Sequence, residues 1–266
     1  MFTFLLAVPH LENCKNPDIV WSLLRDTLVS LSAQTDSQFQ IIVVCGGVLD
    51  DFSSDSRIKN VKFLDVSNWG PLVESTHLTK NLDKGAKYVH GLLYLKETGL
   101  SENDFVMVVD ADDFLSNKLV AYVRDNIIES NLWVITSGYT FQRPAYNRAP
   151  RGVCIALRDD KRTFCGSSII LRFKEYLPRI DKVTVAADRA AIINTLSEKH
   201  ILGYIAVHNV KRFKYGVAKT IPFRAVCYHV GHSGDPISRH KGAWRNPHKM
   251  KLTDEIALEF TLPENE

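Results

Sequence analysis

The sequence predicts an α/β protein built on a mostly parallel central sheet with helices on both faces. Three observations carry this. Short apolar runs recur without polar alternation (Phe2 to Val8, "FQIIVVCGG" and "FVMVV"), as strands buried on both faces do. Segments with helical spacing separate them. The resulting β-α-β-α-β order calls for right-handed crossovers between parallel strands.

Each element has its own warrant. Phe2 to Val8 is the first strand, closed by Pro9. Asn16 and Pro17 stand as N-cap and first helical residue of "NPDIVWSLLRDTLVSLSAQ", in which Val20, Leu23, Leu24, Thr27, Leu28 and Leu31 keep helical spacing. "FQIIVVCGG" is a second buried strand ending on two glycines, and "VKFLDV" a third. Leu78, Leu82, Ala86, Val89 and Leu93 mark a long helix stopped by Gly99. "FVMVV" is the fourth strand, and it delivers Asp110, Asp112 and Asp113. A helix from about residue 118 to 130 and a strand "LWVIT" follow. Beyond Gly138 the pattern loosens. "YTFQRPAYNRAPRG" reads as a long loop or partly extended segment, "SSIILR" as a strand, "VTVAADRAAIINTLSEKH" as a helix starting near Ala187–Asp188, and "YIAV" and "FRAVCYHV" as strands.

The chain has 266 residues, 45 % of them hydrophobic, with a net charge of +3. That length suffices for one large domain with a substantial core. Charge is uneven along it: from His208 to Lys251 ten basic residues face one acid, Asp235. Such a segment suits phosphate-bearing ligands, nucleic acid or an anionic membrane surface, or is a solvated face. The five cysteines lack CxxC spacing, which argues for a reducing cytosol and against a disulfide framework or zinc site. "MFTFLLAV" has no basic leader, and no window has the length to span a bilayer. The expectation is a cytoplasmic protein, at most peripheral at a membrane.

In parallel sheets, ligands bind beyond the carboxyl ends of the strands. Pro9–His10, Cys45–Gly47 and Asp110–Asp113 all lie at such ends. Alternate residues of an extended segment point the same way, so Asp110 and Asp112 can face one ligand. Neighbouring carboxylates raise each other's pKa unless a cation neutralises them, and Mg²⁺ and Mn²⁺ prefer oxygen ligands shared with phosphates. The bland alternative is that Asp113 or Ser116 caps the next helix while the others face solvent.

Together "VPHLENC", "SLSAQT", "IIVVCGG", "KNLDKGAK" and "VMVVDADDFLS" resemble, in order, glycosyltransferase family 2 over roughly the first 120 residues. The resemblance implies the GT-A (Rossmann-like) fold with a less regular C-terminal acceptor region. It also implies a metal-dependent inverting transfer of sugar from a nucleotide sugar, a UDP-sugar by expectation, to a saccharide or lipid-linked saccharide. Residues 1–115 would form the nucleotide-sugar half of a single domain, 116–230 the acceptor half, and 231–266 a basic loop and tail. Val8, Pro9, Gly46, Asp110 and Ala111 would line the donor, and Asp112 would hold Mn²⁺ or Mg²⁺ against the diphosphate. Either Lys80-Asn81 or Lys84-Gly85 matches the basic segment before the acidic motif. One departure stands out: where members carry a base-recognising acid after the second strand, this chain has Cys45-Gly46-Gly47, with Asp50 and Asp51 late.

By the same resemblance Asp188 would be the general base, ionised by the dipole of the helix it opens; its alternative role is a plain N-cap. Gly166 would let a ligand approach the backbone. His229 and His232 both qualify as a late metal ligand, and Arg239 and Lys241 suit a diphosphate. Two further readings differ in class. One is a retaining transferase or nucleotidyltransferase of the same fold, although no glycine-rich basic loop follows the first strand. The other is a single-strand nucleic-acid binder using Tyr215, Phe223, Tyr228 and Trp244 among the bases, which leaves the ordered first half without a task; no nucleic-acid partner is expected.

Overall fold

The computed structural model describes residues 1–47, 52, 54–126, 131–142, 154–159, 166–184, 188–196, 218–229, 249–250 and 252–263. The first half follows the expected alternation: β1 (Phe2–Ala7), α1 (Pro17–Ser32), β2 (Phe39–Cys45), β3 (Val61–Asp65), α2 (His77–Glu97) and β4 (Phe105–Val109). Asn16 caps α1 by accepting the Ile19 amide at 3.4 Å, with Pro17 leading the helix. Thr76 and Thr79 form a capping box on α2, and Gly99, at φ 79°, ends it.

Then come β5 (Phe114–Leu115), α3 (Leu119–Asp125), β6 (Leu132–Val134), β7 (Ser137–Gln142), β8 (Cys154–Asp159), β9 (Ile169–Arg172) and α4 (Leu177–Ile180). Helix α5 covers residues 189–196. After it lie β10 (Lys219–Thr220), β11 (Val226–His229), β12 (Lys249–Met250) and α6 (Asp254–Phe260). Helix α3 confirms the first part of the helix expected over 118–130. Residues 127–130 and the "YIAV" segment lie outside the described residues.

Seven strands form the main sheet in the order β10-β6-β9-β4-β1-β2-β3. Strands β3, β2, β1 and β4 pair in parallel, β9 runs against β4 and β6, and β10 pairs parallel to β6. Side-chain alternation along β1 assigns its two faces. Phe2, Phe4, Leu6 and Val8 pack with Trp21, Leu24 and Leu28 of α1 and with Leu119, Val120 and Val123 of α3. Leu5 and Ala7 pack on the other face with Leu82, Ala86, Val89 and Leu93 of α2 and with Ile192 and Leu196 of α5. Helices therefore cover both faces, as the unbroken apolar strands require.

A second, five-stranded sheet, β12-β8-β7-β11-β5, was not expected. Its hairpin partners β7 and β8 pair antiparallel from Ser137↔Asp159 to Gln142↔Cys154. The part of "YTFQRPAYNRAPRG" up to Gln142 is thus strand, where a loop or partly extended segment was expected. Strands β7 and β8 hide in the sequence because they carry Arg, Asp and Gln among apolar residues. A third apolar cluster, with Phe114, Phe141, Cys227 and Phe260, lies under this sheet.

Candidate active site

The acidic stretch leaves the carboxyl end of β4 as expected. There the three carboxylates take different surroundings. Asp110 pairs with Lys84 of α2, which reaches across to its Oδ1. The side chains are 22 % and 31 % exposed, so this pair is open to a ligand. Of the two lysine segments left open by the sequence, Lys84-Gly85 reaches the acidic motif. Burial would lower the Lys84 pKa, but the charges of Asp110, Tyr88 and Asp112 outweigh it and hold the ammonium above its ordinary value. Tyr88, beneath Lys84 with its ring 5.9 Å from Nζ, has its hydroxyl pushed up by burial.

No side chain caps α3, and Asp113 is fully buried. Its Oδ2 accepts the Ser167 hydroxyl at 2.6 Å, and Ser167 Oγ accepts the Asp110 amide at 2.8 Å. Ser167 thereby ties the turn to the segment leading into β9. Beside it, a Cβ built on Gly166 would stand 2.4 Å from Asp110 Oδ2. What comes close to Gly166 is thus the Asp110 carboxylate itself.

The neighbouring strand ends complete the edge. Val8 is buried, its carbonyl accepting Lys87 Nζ at 2.8 Å, and Pro9 is exposed. Gly46 is buried against His10, whose Cδ2 would meet an added Cβ at 2.6 Å. Cys45 lies opposite Asp65 in the β2–β3 register. Burial, then Asp65, pushes the Cys45 thiol up to about 12, so it stays neutral.

Asp65 is the acid that sequence reading passed over. Its Oδ1 accepts the amides of Gly47 at 3.1 Å and Ser67 at 2.8 Å, and its Oδ2 accepts the Ser67 hydroxyl at 2.9 Å. Burial opposes ionisation, but these bonds and nearby His10 hold the carboxyl below its usual range. The signal was an acid closing the third strand, "FLD", at a position that only the strand register brings to Gly47.

Asp188 is exposed and caps α5, its Oδ1 accepting the Ala191 amide at 2.8 Å. His229 is fully buried on β11 with its ring packed between Phe114 and Phe141 at centroid distances of 5.7 and 5.3 Å. Among the described residues no three His, Cys, Asp or Glu side chains converge on a metal position. His232, Arg239, Lys241, Asp50 and Asp51 lie outside the described residues. Among those described, no helix is long and apolar enough to cross a membrane.

Residues 14–181 match Glycosyl transferase family 2. The chain belongs to this family. With that membership the seven-stranded, mostly parallel sheet with its flanking helices is the GT-A fold. No curated protein matches the family member described here at a significant level. Solved structures similar to it include S. aureus TarS, at 12 % identity and TM-score 0.44 over 86 % of this chain and 36 % of that one. The glycosyltransferase GlyE of Streptococcus pneumoniae TIGR4 matches at 12 % identity and TM-score 0.39, over 83 % and 45 %. The galactosyltransferase LgtC, solved with donor and acceptor sugar analogs, matches at 13 % identity and TM-score 0.38, over 99 % and 97 %. The chain therefore spans less than half the length of the TarS and GlyE chains.

Proposed function

We propose that this protein is a metal-dependent inverting glycosyltransferase that moves a sugar from a nucleoside diphosphate sugar, a UDP-sugar by preference, to a saccharide or lipid-linked saccharide hydroxyl. The observation that supports it most is the Lys84–Asp110 pair with Asp112 beside it at the carboxyl edge of β4. Lys84 pairs with the Asp110 carboxylate, so this edge presents an ammonium and carboxylate oxygens together, the charges that a metal-bound diphosphate takes. Asp112 is half-buried at that edge. An oxygen donor of this kind fits Mg²⁺ or Mn²⁺, which use one or two carboxylates and fill their shells with water and substrate phosphate. When bound, the metal supplies Lewis-acid stabilisation of the departing diphosphate.

The chain's own groups have these tasks. Asp110, steadied by Lys84 and by Ser167, faces the donor. Asp65 takes the place of the missing acid after β2 and accepts an N–H of the base. Asp188 uses the carboxylate oxygen not spent on its cap to take the proton from the acceptor hydroxyl. The acceptor oxygen bonds the anomeric carbon, that carbon's bond to the diphosphate breaks, and the proton ends on Asp188.

The test is a thermal-shift screen of UDP, GDP, CDP and their sugars with and without Mn²⁺, since a ligand binding only the folded state raises its stability. Metal-dependent stabilisation by one nucleotide is expected, with Asp112→Ala folded but inert. Stabilisation by none of them, or full transfer by Asp112→Ala, removes the proposal.

A further inference from the structure

The cap fixes Asp188 to its own helix but not to the rest of the edge. Its neighbour does that. Arg189 Nη1 donates to Asp83 Oδ1 at 3.0 Å and to the Gly70 carbonyl at 3.2 Å. Its Nη2 donates to the carbonyls of Trp69 at 3.2 Å and Pro71 at 3.4 Å. Asp83, 7 % exposed, gives its second oxygen to Lys87 Nζ at 2.7 Å. That ammonium also holds the Val8 carbonyl at the end of β1. The residue after Asp83 is Lys84, which holds Asp110. One turn of α2 thus grips the ends of β1 and β4 and the start of α5 together.

We infer that Arg189 is a positioning residue for Asp188, locating the base against the donor edge through the path Asp188–Arg189–Asp83–Lys84–Asp110. The inference rests on reading Asp188 as the base. Four outer N–H groups of the guanidinium meet four protein acceptors, so Arg189 is committed to the protein rather than to a phosphate. The planar fork matters, because a lysine ammonium offers three donors from one point and cannot span the same set. Without this clamp α5 keeps Ile192 and Leu196 in the apolar layer, but its first turn is free to shift. A displacement of about 1 Å in a reacting group costs on the order of 10²-fold in rate.

The experiment is a double-mutant cycle in the full chain: wild type, Arg189→Ala, Asp188→Ala and the double variant. Transfer is measured from the nucleotide sugar that the Mn²⁺ screen selects. Arg189→Ala is expected to lower kcat about 10²-fold, with the donor KM within about twofold. In the Asp188→Ala background the same change should cost less than about twofold, since residues acting as a unit are non-additive. An equal cost in both backgrounds overturns the inference while leaving Asp188 as base. Wild-type turnover by Asp188→Ala overturns the base and the inference with it. Arg189→Lys, which keeps the charge, should lie between, near 10-fold, and runs the same cycle if circular dichroism shows Arg189→Ala unfolded.

Discussion

At the scale of single residues, the site is built by close approach as much as by charge. Gly166 has no room for a methyl group, because the Asp110 carboxylate already occupies it. Gly166→Ala should keep the fold and displace that carboxylate, weakening Mn²⁺-dependent nucleotide binding at least tenfold by calorimetry while the melting temperature of the free protein moves little. The acids at the end of β4 were legible in the sequence because a buried strand must end somewhere, and its first polar residues mark the edge. Their supports were not. Ser167 is 57 positions from Asp110 and 54 from Asp113, and nothing local to either end predicts the meeting. Asp65 escaped for a related reason, since only the parallel register of β2 and β3 sets it beside Gly47.

At the scale of elements, α2 does more than cover the sheet. Lys87 and Asp83 form an almost wholly buried pair one turn apart. Breaking such a pair by removing one member leaves a buried charge uncompensated and costs about 3–5 kcal/mol. Lys87→Ala should therefore lose about that much in urea unfolding, less whatever Arg189 recovers from its side of Asp83. Asn16→Ala at the start of α1 should cost only about 1 kcal/mol, as removal of an N-cap does. Both helices were legible, because caps, stops and a 3.6-residue period are local signals. The second sheet was not, since two-residue strands such as β5 carry no period, and their pairing with chain some hundred residues away is a property of the fold.

At the scale of the whole molecule, the stability should fall on the acid side. Burial holds the folded-state pKa of His90 below 6.5, against a smaller opposing pull from Glu97. Well above 6.5 neither state is protonated there. As pH falls below 6.5 the unfolded chain takes up a proton that the folded one resists, and the loss is complete once the folded value is passed. Melting curves between pH 8 and 5 should show this, and His90→Gln should flatten the acid limb. The order of the main sheet and its two helical layers could be foreseen from the strand pattern; the reversal at β9 could not, since a strand's sequence does not record its direction. One fastening bears on how the molecule comes into being. Glu259 of α6 accepts the Ser116 hydroxyl at 2.6 Å and the Lys118 ammonium at 2.8 Å, and its carbonyl takes the Asn117 amide at 3.0 Å. The turn just past Asp113 is thus locked by chain made some 140 residues later. During synthesis on the ribosome this turn lacks its last fastening until nearly all of this sequence has emerged, so a stalled nascent chain ending before Thr253 should show a segment around 114–118 that is more protease-sensitive than in the released protein.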